Sequence, residues 1–84
     1  MKSLLTKEQT QELGIMGLDQ NDYWRKYLPK MYKSLAESGE LFPLLKRRND
    51  RMEEMMQDLM NQGLYENEAR EYINEIMYDM KPEK

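Results

Sequence analysis

Apolar residues recur along the chain at intervals of three and four, the spacing of one face of an α-helix. The tightest stripe is Ala69, Tyr72, Ile73, Ile76, Met77 and Met80. It predicts a helix beginning near Glu66, with Glu66, Glu68 and Glu71 in the first turns, where the helix macrodipole favours acids. A longer stripe runs through Leu41, Leu44, Leu45, Met52, Met55, Met56, Leu59 and Met60. Its positions 41, 45, 52, 55 and 59 match heptad a and d steps. Arg48 occupies a step that should be apolar, so it is read either as a buried or interface charge or as an arginine snorkelling to water. A third stripe comprises Trp24, Tyr27, Leu28, Met31, Tyr32 and Leu35, with Pro29 inside it. Proline within a helix costs about 3 kcal/mol and removes a hydrogen bond. The stripe therefore predicts either a kink at Leu28 or a fresh helix with Pro29 in its first turn. Nothing in the chain reads as a strand.

Punctuation between the stripes sets the element boundaries. Thr6-Lys7-Glu8-Gln9 has the form of a capping box and starts a short first helix. Gly14 and Gly17 each disfavour helix by about 1 kcal/mol, so that helix is expected to end near Leu13. Ile15, Met16 and Leu18 then form an apolar linker packed on the main body. Asp19-Gln20-Asn21-Asp22 offers N-cap chemistry for the second helix. Gly39 and Gly63 end the second and third helices, and Pro43 is tolerated near the start of the third. The prediction is an all-α chain, a small bundle of about four helices joined by short glycine-containing turns. It forms a single domain over residues 1–84. Residues 1–20 supply the short helix and linker, 21–80 the helical core, and 81–84 a frayed tail. The expected core is Leu28, Met31, Leu35, Leu45, Met52, Met55, Leu59, Tyr72, Ile73, Ile76 and Met77.

Composition narrows the chemistry more than the fold. Eighty-four residues accommodate one domain. There is no cysteine, hence no disulfide framework and no thiolate metal site; this fits a reducing, cytoplasmic location. There is no histidine, which removes the commonest general base and metal ligand. Ser3, Ser34 and Ser38 have no imidazole to activate them, and no glycine-rich phosphate loop occurs. Carboxylate groupings such as Glu68, Glu71 and Glu75 remain as acid–base or divalent-cation candidates. On amphipathic helices the ordinary reading of such acids is a solvated face. No enzyme activity and no cofactor are expected. No apolar run is long enough for a transmembrane helix, and the first five residues lack the apolar core of a signal peptide.

The net charge of −3 conceals a dipole. Residues 1–48 carry nine basic and six acidic side chains, while residues 49–84 carry four and ten. Two candidate surfaces follow. One is acidic: Asp50, Glu53, Glu54 and Asp58, suited to covering a basic groove on another protein. The other is basic and aromatic: Trp24, Arg25, Lys26, Lys30 and Lys33, joined by Lys46, Arg47 and Arg48. There the cations neutralise phosphates and the rings stack or anchor. The competing reading of this second set is an aromatic core stripe with a wet basic back. Five of the nine methionines fall within residues 52–77. Methionine fills irregular core gaps and also serves adaptable binding grooves, so a homodimer or a partner helix is a way to complete their burial.

The stretch from Tyr27-Leu28 through Tyr32, Leu35, Ser38-Gly39 and Leu41 resembles the TnpV family of small transposon-encoded proteins. The family pattern is a basic-aromatic lead, a Tyr-Leu pair, a proline, further apolar residues and Ser-Gly before a leucine. The resemblance covers roughly residues 23–60, including the amphipathic helix through Met52 and Met55. Pro29 directly follows Leu28, whereas the family spaces them, and Glu40 stands in place of the usual base. The resemblance implies a mobile-element origin and transfers no catalytic residue. The functional expectation is a mobile-element protein that acts by protein–protein binding, including inhibition of a host nucleic-acid-binding or defence protein. The alternative is a DNA-binding accessory factor for transposition or excision.

Overall fold

The computed structural model describes residues 2–83, Met1 and Lys84 lying outside them. Among the described residues five helices follow one another: α1 (Lys7–Glu12), α2 (Ile15–Tyr27), α3 (Pro29–Ser38), α4 (Leu41–Asn61) and α5 (Glu66–Met77). No strand occurs among the described residues. The expected capping box is present in α1. Thr6 Oγ1 accepts from the Gln9 amide at 3.1 Å, and Gln9 Oε1 accepts from the Thr6 amide at 3.0 Å. Pro29 starts its own helix at the first turn, after Leu28 breaks the backbone path at φ −132°, ψ 53°. That break, rather than a kink, raises the helix count above the four expected.

Gly39 and Gly63 stop α3 and α4 as read from the sequence. Both adopt positive φ, 80° and 102°, a conformation that side chains with a Cβ rarely take. Each closes its helix with a pair of returning bonds. Glu40 N–H donates to the Leu35 carbonyl at 2.9 Å, and Leu64 N–H to that of Leu59 at 3.2 Å.

Residues 15–20 are not a linker. They form the first half of α2, with Gly14 as N-cap. Helix propensity was the weaker force here. A Cβ on Gly17 would stand 2.7 Å from Leu13 Cγ and 3.0 Å from Asn49 Cβ, and one on Gly14 would stand 2.5 Å from Asn49 Oδ1. The two glycines let α2 approach α4 closely. The buried Asn49 side chain then accepts from the Gly17 amide at 2.9 Å, serving the open amino end of α2 from across the fold. The tetrad 19–22 accordingly lies inside α2 and caps nothing. Gln20 and Asn21 are buried, while Asp19 pairs with Arg70 and Asp22 with Arg25.

The core has two apolar lobes. One gathers Trp24, Tyr32, Leu41 and Leu45 from α2, α3 and the start of α4, together with Leu13 after α1 and Leu28 between α2 and α3. The other gathers Met16, Met52, Ile73 and Met77, with Met55 and Met56 packed against it. Along α2 the buried stripe reads Met16, Gln20, Trp24, and along α4 it reads Leu45, Asn49, Met52. A polar layer therefore separates the lobes.

Tyr72, expected in the core, is 54% exposed. It sits about 100° around α5 from Ile73, whereas Ala69, Ile73 and Met77 form the fully buried line. Met31, Leu35 and Met55 are half-buried at the lobe margins, and Leu59 and Ile76 are half-buried. Helix α5 stops at Met77, so Met80 lies beyond it and is exposed. The tail is not frayed through Glu83: its backbone N–H donates to the Tyr27 carbonyl at 2.8 Å, and its carboxylate accepts from the amides of Lys30 and Met31 at 3.0 and 3.1 Å. Lys84, the remaining residue of that expectation, lies outside the described residues. The molecule measures 41 × 30 × 17 Å. Its thin dimension is under two helix diameters, so the helices can present one side to water.

Candidate interaction surface

Helix α4 turns Leu41, Leu45, Asn49 and Met52 inward. The opposite side carries Asp50, Glu54 and Asp58, with Glu53 on the flank toward α2, all exposed. The spacing 50, 54, 58 keeps three of them in one row, with Glu53 beside it. They are not equivalent. Asp50 is engaged by Lys46 Nζ at 3.3 Å and accepts from Asn49 Nδ2 at 3.3 Å. Glu53 lies over the amino end of α2, its Oε1 being 2.7 Å from where a Gly14 Cβ would stand. Glu54 and Asp58 project from the helix beside Gln57, whose amide bonds Asn61 at 3.1 Å.

The acidic character continues past the Gly63 turn. From Met52 to Ala69 the chain holds five carboxylates and no basic residue. On α5, Glu68, Glu71 and Glu75 line a shallow groove of about 460 Å³ with Leu64 and the exposed Tyr72. Glu68 also spends one oxygen on the Tyr65 amide, 3.1 Å away, at the start of α5. Among the described residues, no three carboxylates converge closely enough to hold a metal ion.

The basic-aromatic set is dispersed by the fold. Trp24 is 1% exposed, and its ring is a core element rather than a stacking platform, because position 24 shares the inward stripe of α2 with Met16 and Gln20. Arg48 is turned inward. Its Nε donates to Gln20 Oε1 at 3.0 Å, its Nη2 to the Ile76 carbonyl at 3.3 Å, and its guanidinium lies 5.5 Å from the Trp24 ring. Gln20 Nε2 donates to the Met77 carbonyl at 2.7 Å. Together Gln20 and Arg48 satisfy carbonyls at the closing end of α5, and the arginine charge suits the negative pole of that helix. Arg25 pairs with Asp22 at 3.2 Å, Lys33 with Glu37 at 4.0 Å, and Lys46 with Asp50. Lys26 lies over the Tyr27 ring, 5.3 Å from its centre. Lys30 and Arg47 are exposed.

Two features escaped the sequence reading. The first is the polar layer of buried Gln20 and Asn49 with half-buried Arg48. Its signal is a polar residue at core phase in two stripes. The second is a groove of about 360 Å³ lined by Asp19, Asp22, Tyr23, Lys26, Tyr27 and Tyr78. Tyr23 packs on Tyr27 with ring centres 5.0 Å apart and on Tyr78 at 4.9 Å. Tyr78 comes from the segment after α5, and no local pattern pairs it with α2. No helix among the described residues is long and apolar enough to cross a membrane. No family model, curated protein or solved structure matches the chain.

Proposed function

We propose that this chain is a non-enzymatic binding protein that docks the acidic outer sides of α4 and α5 on a basic surface of a partner protein, acting as an inhibitor that occludes a nucleic-acid groove. The observation that carries this reading is the run from Met52 to Ala69, which holds Glu53, Glu54, Asp58, Glu66 and Glu68, all exposed, with no cation among them. Complementary potentials of this kind steer encounter and discriminate between partners. The dispersal of the basic set supports the same reading over the DNA-binding alternative, since Trp24 and Arg48 are engaged inside the fold. The likeness of residues 27–41 to transposon-encoded proteins supports a mobile-element setting, in which such an inhibitor would act on a host or element-encoded protein.

The test joins capture to competition. The chain, carrying an affinity tag, is used to isolate a partner from lysate. The triple variant Glu53→Lys, Glu54→Lys and Asp58→Lys is compared after circular dichroism confirms unchanged helicity. The proposal expects capture to be lost in the variant and the captured partner to be released by excess duplex DNA. Direct binding of the chain to duplex DNA at micromolar concentration, weakening steeply between 50 and 200 mM salt as counterion release requires, would replace this reading with the DNA-binding one.

A further inference from the structure

The segment after α5 is short, polar and exposed over residues 79–82, yet it is held at both ends. Near its start, the Tyr78 ring packs on Tyr23 at 4.9 Å, and the Tyr23 hydroxyl donates to the Met80 carbonyl at 2.7 Å. At its far end, Glu83 closes on α3. That helix has no side-chain cap from its own N-cap residue, Leu28, and Pro29 at its first position has no N–H. The first two free amides of α3 are those of Lys30 and Met31, and the two oxygens of one carboxylate take both, at 3.0 and 3.1 Å. The Glu83 amide completes the attachment on the Tyr27 carbonyl.

None of residues 78–83 belongs to either apolar lobe. Besides the contacts above, the tail is tied to the body by the Tyr78 amide, which donates to the Asn74 carbonyl at 3.0 Å, and by the Asp79 carboxylate, 4.0 Å from Arg48 Nη2. The tail nonetheless determines a surface. Five of the six residues lining the tyrosine groove come from α2, and the tail supplies the sixth, Tyr78. The tail also crosses the edge formed by Tyr23, Tyr27 and Lys30.

The geometry points to residues 78–83 as a strap with two positions, latched by the Glu83 carboxylate on the amino end of α3. Closed, it holds Tyr78 in place and completes the tyrosine groove. Open, it dismantles that groove and uncovers the aromatic-basic edge of α2 and α3 while both core lobes stay folded. The strap rests on none of the acidic face, so this inference stands independently of the proposed function.

Amide exchange and ring-to-ring nuclear Overhauser effects on the full chain test it, comparing wild type with Glu83→Ala and Glu83→Gln. In Glu83→Ala, exchange at Lys30 and Met31 should rise at least tenfold and the Tyr23–Tyr78 ring contacts should vanish, while exchange at Leu45 and Ile73 stays at the wild-type rate. Glu83→Gln keeps one acceptor oxygen, so its rise should be smaller. Unchanged exchange at Lys30 and Met31 would show that Glu83 is not the latch. Persistence of the Tyr23–Tyr78 contacts would show that the latch does not govern the groove. Acceleration at Leu45 and Ile73 in step with Lys30 would show that the tail is part of the cooperative core. Each of these three results overturns the inference.

Discussion

Replacing Asn49 by alanine tests the claim that polar side chains, as well as apolar lobes, fix how α2 and α4 meet. Asn49 is 1% exposed, and its Oδ1 is the acceptor for the buried Gly17 amide at 2.9 Å. Alanine removes that acceptor and leaves the donor unpaired, at a cost of about 1–3 kcal/mol. Nothing nearby fills the space, because the facing residues are Gly14 and Gly17; the void adds roughly 0.5 kcal/mol. Alanine recovers roughly 0.5 kcal/mol of helix propensity within α4. The net expectation is a loss of about 2 kcal/mol. For a domain of this size, that lowers the melting midpoint by about 8–16 °C. Urea unfolding should show a lower midpoint with an unchanged slope, and exchange at the Gly17 amide should accelerate more than at Leu45. Gln57→Ala, an exposed amide on the same helix bonded only to Asn61, should stay within about 0.5 kcal/mol of wild type. A drop for Asn49→Ala as small as that of Gln57→Ala would refute the idea that the polar layer locks the crossing.

The remaining expectations use the same unfolding assay. Gly17→Ala should destabilise by about 1–2 kcal/mol: a Cβ 2.7 Å from Leu13 Cγ forces repacking that outweighs the gain of about 1 kcal/mol in helix propensity. A rise in stability would show that α2 is not closely packed on α4. Arg48→Lys should lose about 1.5–3 kcal/mol, because a single ammonium cannot reproduce the guanidinium contacts to Gln20 and the Ile76 carbonyl; wild-type stability would place Arg48 on the surface. Tyr32→Phe should cost about 1–2 kcal/mol, since the hydroxyl donates to Asn21 Oδ1 at 2.7 Å and accepts from the Leu4 amide at 2.9 Å. In Tyr72→Ala, by contrast, stability should move by no more than about 0.5 kcal/mol, and a loss above 2 kcal/mol would return Tyr72 to the core.

These contacts also explain which parts of the fold were legible in the sequence. Gly39, Gly63 and the Thr6 capping box are legible because each is decided by a residue's own backbone chemistry or by a partner three positions away; the same chemistry narrows Pro29 to a kink or a fresh helix without choosing between them. The start of α2 is not legible from Gly14 and Gly17 themselves, because helix propensity counts both against a helix. Their role depends on Asn49, some thirty residues on, whose amide needs the space that a missing Cβ leaves. Tyr72 was placed inside because a wide apolar stripe does not reveal its centre. The neighbouring helix selects Ala69, Ile73 and Met77 and leaves the tyrosine outside. Glu83 was read as fraying because nothing within the last four residues holds it; its partners lie more than fifty positions away.

The same distinction separates the two candidate surfaces. The acids on α4 were legible as exposed because carboxylates at positions opposite an apolar stripe have no internal acceptor role to fill, and α4 keeps them outside. Arginine and tryptophan are ambiguous in sequence, since each joins a large packing body to hydrogen-bond donors. Here the fold turns both packing bodies inward, and Arg48 uses its donors there, while the buried Trp24 indole N–H has no partner among the described residues. Arg48 lies over Trp24 and reaches the carbonyl end of α5, so the strongest-looking members of the basic-aromatic set are engaged in holding α2, α4 and α5 together. A chain with a thin core gains from such struts, because they add polar ties among α2, α4 and α5, which the small lobe of Met16, Met52, Ile73 and Met77 also joins. Substitution of Arg48 must therefore be judged first as a change to the fold. Substitutions at Glu54 and Asp58, which touch no such strut, report on the surface itself.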